Sequence, residues 1–409
     1  MAAVQPATSG GVVLFGKNSD REFTEAQYLQ WLPAARHEAG ARVRLTYKDI
    51  EQARETYAVM LSKPHWIWGA EIGANEHGLV IGNEALFSKI DASLEPGIIG
   101  MDFLRLALER ARDVDEGVSV ITSLLREHGQ SGNCGFKREM AYHNSFILAD
   151  PRGARVLETV EREWVVTPIK DYYAISNAMT VETGFAACSP TLESRAVSAG
   201  IHQEGAAFAF KSVYEAADKV ASGCFRRARA MELLGARSGR LAVTDFFSVL
   251  RDHKEGERAP GRSSGPRICA HTRENPLGQT TASWVASLEP SQRMHWVTGT
   301  AAPCTGLFKP VLLEAGLPAH GTPPAGEEDN TSLWWRHEKL TRYLDGSQEA
   351  VRHAFTGERD ALEARFLDRM STCPAASDPQ GRDEARRLTE SCWREGVAFE
   401  NRWLDKAGS

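Results

Sequence analysis

The stretch "HWIWGAEIGANEHGLVIGNEAL" (residues 65–86) decides how the chain is read. Asn75-Glu76-His77-Gly78 is turn chemistry, and Leu79-Val80-Ile81 is an apolar run returning from it, so the segment reads as a β-hairpin. Its glycines let the backbone approach closely and adopt positive φ. Asn83 follows the returning strand and carries an amide able to donate to an oxyanion. Hairpin chemistry alone also explains the composition, and in isolation it is the plainer reading.

Working outward, Gly11–Gly16 reads as a buried strand that stops at a polar cluster, Lys17-Asn18-Ser19-Asp20-Arg21. Further strands are expected at 42–48 and 57–62. Two helices follow. Residues 100–113 place Phe103, Leu104, Ala107 and Leu108 on one face. Residues 115–129 do the same with Val118, Ile121, Leu124 and Leu125, and Gly129 suits the C-terminal cap. Strands return at 144–150, 154–160 and 163–169, with a turn at Asp150-Pro151-Arg152-Gly153, and again at 172–179. Residues 206–252 read as mostly helical, 255–267 as a polar loop, 280–288 and 294–300 as strands, 319–332 as a loop, and 333 onward as helices. Strands and helices are segregated, which predicts an α+β fold of stacked antiparallel sheets with helices outside rather than a doubly wound sheet.

Composition excludes several classes. Of 409 residues, 42% are hydrophobic and 25% charged, as in ordinary globular proteins, and the net charge of −6 is spread without a basic patch that nucleic acid would need. Seven cysteines, at 134, 188, 224, 269, 304, 373 and 392, form no Cys-x-x-Cys pair, so reduced thiols are expected rather than a disulfide framework. The first residues lack the basic and apolar regions of a signal peptide, and no window approaches the roughly 18 apolar residues of a membrane span. The expected location is cytoplasmic.

Several clusters could carry chemistry. Lys17-Asn18-Ser19-Asp20-Arg21 either orients a catalytic group or is a solvated strand end with an ion pair, and composition favours the latter. Asn177, after Ser176, is a second amide donor. Arg226, Arg227 and Arg229 could grip a carboxylate bidentately or form a basic helix face. Cys269 and His271 lie two apart and would share a face of a strand, but a lone Cys-x-His carries little weight, and such a thiol can be a small buried apolar group. His337-Glu338 is followed by Lys-Leu-Thr and so is no His-Glu-x-x-His zinc motif. No His, Asp and Glu set has dependable metal spacing, and neither a Walker A nor a Rossmann fingerprint is present. No metal and no cofactor is expected.

The clusters gain weight in order. "GKNSDR" (16–21), "WGAEIGANEHGLVIGNEA" (68–85), "GMDFLRLALER" (100–110), "EHGQSGNCG" (127–135), "YHNSFILAD" (142–150), "VLET" (156–159), "ISN" (175–177), "QTTASWV" (279–285) and "FKPV" (308–311) together resemble the secernin family and the related bacterial dipeptidases. Bile-salt hydrolases and penicillin V acylases look like more distant relatives. The resemblance implies an N-terminal-nucleophile hydrolase fold, an αββα sandwich. The domain would span residues 1–318, with a linker at 319–332 and a helical C-terminal extension over 333–409. It also implies hydrolysis of the amide bond of a dipeptide or small acyl-amide. A thiolate at the mature N-terminus attacks the carbonyl, and the free α-amino group serves as base. By resemblance, Asp20 holds that amine and Asn83 and Asn177 flank the oxyanion. Lys17, Asn18 and Arg21 orient the site, and Arg227 or Arg229 stands for a later arginine. The expected partner is the small substrate, and a homo-oligomer is allowed for.

This chain departs from the family at one point: no cysteine precedes Cys134. Family members begin with Cys-Asp-Thr or similar and lead into a stretch like Val4-Gln5-Pro6-Ala7-Thr8. That places the nucleophile about three residues ahead of Met1, with Met1 an internal methionine. Thr8 and Ser9 could not supply a free α-amine without cleavage. A competing reading is a non-catalytic, secernin-like regulator in secretion or trafficking. A third is an acylase of penicillin or acyl-homoserine lactones.

Overall fold

Phe103, Leu104, Ala107 and Leu108 are fully buried on one side of the Gly100–Arg110 helix. Ile121 and Leu125 are equally buried on the Val114–His128 helix. Both faces enter one apolar cluster with Leu61, Ile81, Phe146, Leu148 and Leu157 from strands beneath and Leu79 from the connection between two of them. A helix stripe of this width exists to cover a sheet. The computed structural model describes residues 1–253, 267–272, 278–376 and 378–408. The chain forms two compact units. One contains Met1–Phe15, Leu32–Leu61 and Ile67–Ala242, and the other contains Gly16–Trp31, Ser62–Trp66 and Val243–Ser409.

In the first unit the main sheet runs in the order Ala187–Cys188, Glu163–Pro168, Gly153–Val160, His143–Asp150, Val80–Leu86, Ile72–Asn75 and Val59–Pro64, the last reaching this unit with its first half. The expected hairpin is present. Val80 pairs with Ala74 and Gly82 with Ile72. Asn75 makes the turn: its Oδ1 accepts from the backbone of His77 and Leu79, each at 3.1 Å. Its Nδ2 donates to the carbonyls of Leu108 (2.9 Å) and Ala111 (2.6 Å), joining the hairpin to the end of the first helix. Gly69 lies against that helix, where a Cβ would sit 2.2 Å from the Met101 carbonyl. Asp113 caps the second helix by accepting from Glu116 N at 2.9 Å, and Gly129 ends it at φ 70°. Ala2–Ala3 is a short buried strand between Tyr172–Tyr173 and the Val13–Phe15 part of the next strand.

In the second unit the Gly16–Arg21 part of that strand leads a sheet continuing through Gly278–Leu288, Arg293–Val297 and Lys309–Val311, with His271–Thr272 paired to the start of Gly278–Leu288. Three helices, Leu333–Gly346, Glu349–Ser371 and Pro379–Gly408, belong to the same unit. Trp334 Nε1 donates to Thr281 O and Trp393 Nε1 to Pro310 O, each at 2.9 Å. Half-buried Arg251 pairs with buried Glu363 at 2.6 Å.

All described strand registers are antiparallel and the helices come in separate runs, so the fold is α+β. Several elements differ from expectation. The first long strand is Val13–Arg21, so the polar cluster lies inside it rather than past its end. Its polar side chains find partners on both faces, which removes the penalty that burial would otherwise impose. The 42–48 strand shrinks to Arg42–Arg44, and the 57–62 strand sits at Val59–Pro64. At 172–179 only Tyr172–Tyr173 is strand. The 206–252 region holds three helices, Phe210–Tyr214, Ala221–Gly235 and Val243–Leu250. The strand Gln27–Leu32 and the helix Leu192–Ser198 were not anticipated. Residues 255–266 of the expected polar loop lie outside the described residues. Among the described residues, no helix is long and apolar enough to cross a membrane.

Candidate active site

Alternation along Val13–Arg21 sorts the polar cluster onto two faces. Lys17, Ser19 and Arg21 are buried, whereas Asn18 and Asp20 are half-buried. Lys17 Nζ donates to Asn18 O at 3.1 Å. Ser19 Oγ accepts from Gln27 Nε2 at 2.6 Å, and Arg21 pairs with Glu25 at 2.5 Å. On the other face, Asn18 Nδ2 donates to Leu250 O and Ile268 O, both at 2.9 Å, and its Oδ1 accepts from Ser283 Oγ at 2.7 Å. Asn18 is thus committed to holding the fold. Asp20 Oδ1 accepts from Thr280 Oγ1 at 2.6 Å, and Thr280 Oγ1 in turn accepts from Ala270 N at 3.0 Å.

The two amides lie in the first unit. Asn83 is 1% exposed. Its Nδ2 donates to Asn144 Oδ1 at 3.2 Å, and Asn144 Nδ2 donates to Gln130 Oε1 at 2.9 Å. Gln130 Nε2 donates to Glu161 O at 2.9 Å, and a backbone carbonyl can only accept. That carbonyl fixes the sense of the whole relay and leaves Asn83 Oδ1 as the buried atom without a partner. The side chain therefore offers an acceptor, where sequence reading expected a donor.

Asn177 is half-buried. Its Nδ2 donates to Ala85 O at 3.1 Å, and its Oδ1 accepts from Arg226 Nη2 at 2.5 Å. Gly223 permits this approach, since a Cβ there would lie 2.6 Å from the Asn177 carbonyl. Arg226 also reaches Ser176 Oγ at 3.3 Å. Arg227 donates to Ala174 O at 3.0 Å and lies 5.0 Å from the centre of the Tyr173 ring. Arg229 pairs with Glu232 at 3.2 Å on its own helix. Arg226, named with Arg227 and Arg229 as a carboxylate binder, is the arginine that touches Asn177, whereas the resemblance pointed to Arg227 or Arg229; Glu158 was given no role. Burial pushes the Glu158 carboxyl up to about 7 against hydrogen bonds from Thr180 and Val181 and the nearby charge of Arg227.

Cys269 and His271, set aside as a weak pair, have company in the second unit. His271 Nε2 is 3.2 Å from Cys269 Sγ and 3.1 Å from Cys304 Sγ. His253 stacks obliquely on His271 at 5.1 Å between ring centres. The Cys269 thiol is pushed up by burial, whereas that of Cys304 is held well below the thiol range by hydrogen bonding from Cys269, reinforced by His271. The sequence signal was divided among distant elements, so no spacing motif could reveal it.

Residues 8–192 match the family model described as acyl-coenzyme A:6-aminopenicillanic acid acyl-transferase. Among solved structures, a variant of conjugated bile acid hydrolase from Clostridium perfringens is similar at 15% identity, covering 72% of this chain and 88% of that one, with a TM-score of 0.42. Penicillin V acylase from Agrobacterium tumefaciens is similar at 14% identity, with coverages of 76% and 85% and a TM-score of 0.41. The Caenorhabditis elegans ortholog of N-acylethanolamine-hydrolyzing acid amidase is similar at 13% identity, with coverages of 69% and 90% and a TM-score of 0.37.

Proposed function

We propose that the protein is an amide hydrolase of the N-terminal-nucleophile type, acting on dipeptides or similarly small acyl-amides, with residues 1–318 as the hydrolase domain. The observation that carries the reading is the family match over residues 8–192, which spans the strand bearing Asp20 and the hairpin bearing Asn83. The nucleophile in this reading is a cysteine shortly ahead of Met1. Ala2 pairs with Phe15 and Ala3 with Leu14, so the first residues are held as a strand within the first unit.

The chemistry then has assigned parts. The thiol gives its proton to the free α-amine, whose ordinary pKa of about 8 suits it as base. The thiolate attacks the amide carbonyl, the amine leaves with a proton, and water releases the acyl group. Asp20 holds the ammonium form. Asn177 and Asn83 line the substrate; through its unpartnered Oδ1, Asn83 accepts from a substrate N–H. Lys17 supplies positive charge, Arg21 is held in its pair with Glu25, and Arg226 or Arg227 receives a carboxylate.

The test is to extend the chain with Cys-Asp-Thr so that the cysteine is the first residue, and to assay dipeptides beside N-acyl amides. Turnover that vanishes with alanine in place of that cysteine, and drops at least about 100-fold in Asp20→Asn, supports the reading. Turnover of acyl amides alone moves the substrate class to that of an acylase. No turnover above the alanine control, in a folded chain, sinks the enzyme reading and leaves the silent, regulatory one.

A further inference from the structure

We propose that His253, Cys269, His271 and Cys304 form a zinc site, independent of the hydrolase reading because all four residues lie in the second unit. One donor atom from each residue falls within 4.8 Å of every other. Zinc takes sulfur at about 2.3 Å and imidazole nitrogen at about 2.0–2.1 Å, so the edges of an ideal tetrahedron here would be about 3.4–3.8 Å. The 3.1 and 3.2 Å separations of His271 Nε2 from the two sulfurs need only a few tenths of an ångström of expansion. Two thiolates and two imidazoles in a tetrahedron are the donor set that selects zinc among the common divalent ions.

Two further observations point to a ligand. The first is that His253 Nε2 is buried without a hydrogen-bond partner, although an imidazole nitrogen out of water ordinarily has one. The second is that the segments bearing the donors are tied to one another by their backbones. Cys269 N donates to Asp252 O at 3.1 Å, one residue from His253. Thr280 clamps Ala270, between Cys269 and His271, from both sides: its N donates to Ala270 O and its Oγ1 accepts from Ala270 N. Arg359 donates to the carbonyl of Cys304. Such outer contacts fix the aim of metal-binding side chains.

Charge balance fits a buried position. On binding, both thiols release their protons to solvent and both histidines bind as neutral rings, so the divalent ion and two thiolates sum to zero. The protein fills all four positions, leaving none for water or substrate. The site is therefore a structural cross-link between the end of the Val243–Leu250 helix, the His271–Thr272 strand and the turn after Arg293–Val297.

The test uses the full chain, reduced, stripped with chelator, and loaded with zinc chloride or cobalt chloride. Expected are one zinc per chain by mass spectrometry of the metal, and the intense visible bands and thiolate-to-metal charge transfer of tetrahedral cobalt, abolished by added zinc. Cys304→Ser and His271→Ala lose stoichiometric retention, while Cys224→Ser, at an exposed cysteine, keeps it. The proposal is overturned if the wild-type chain retains no zinc and gives no such cobalt spectrum, a readout that needs no variant to fold. It is equally overturned if Cys269→Ser/Cys304→Ser binds as the parent does, or if thiol counting on the unfolded, unreduced chain finds those two cysteines joined.

Discussion

Glu158 shows how one buried group sets a pH dependence. Its pKa rises from the ordinary 4.5 to about 7 because burial disfavours the anion. Between those values the folded chain holds a proton that the unfolded chain has released. Stability contributed by the protonated form is therefore present below about 4.5 and is lost as pH rises through about 7. The loss from this group is roughly 3 kcal/mol. Glu158→Gln cannot titrate, so urea denaturation should show a flatter stability curve across that window; an unchanged slope would refute the assignment. At the same scale, Asn83 was legible as a site candidate, but the sense of its amide was not. That sense is set by Glu161 O through Asn144 and Gln130, and no residue-by-residue reading contains such a relay.

Among the elements, the hairpin depends on Asn75 more than its turn chemistry suggests. In Asn75→Asp the oxygen that accepts from His77 and Leu79 survives, but a carboxylate oxygen replaces the donor and faces the carbonyls of Leu108 and Ala111. The expected cost is roughly 3 kcal/mol, measurable by chemical denaturation, with Asn75→Ala milder because it adds no repulsion. The hairpin, the two long helices and the strands from 144 to 169 were readable because apolar period and end signals agree there. The strand Val13–Arg21 was cut short in the reading because its later half is polar. Ser19, Asn18 and Asp20 are satisfied by Gln27, Ser283 and Thr280, partners a local window does not contain.

At the scale of the molecule, the three C-terminal helices share a unit with the sheet that begins at Gly16. Trp334, Trp335, Phe366 and Trp393 are each no more than 2% exposed. A large apolar side chain so buried is worth about 1.5–3 kcal/mol, and several together rival the whole net stability of about 5–15 kcal/mol. Deleting residues 333–409 should therefore abolish the cooperative unfolding of the second unit and its protease resistance. Survival of a sharp transition would mark the helices as an appendage. The His253, Cys269, His271 and Cys304 group was illegible for the same reason that the unit is discontinuous: its members come from elements that only folding assembles.

Asn18 has a consequence for polymer physics. One amide holds Leu250 O and Ile268 O together, so the ends of the intervening chain are pinned whatever its length. Closing a longer loop between fixed ends costs little, about 0.6 kcal/mol for each doubling. The closure of residues 250 and 268 is shared between this amide and the backbone bond from Cys269 N to Asp252 O. Asn18→Ala should therefore lower the melting temperature by only a few degrees, because the Cys269 bond still holds the same two ends. A single side chain on the first long strand is thus one of two ties that close the same span of chain.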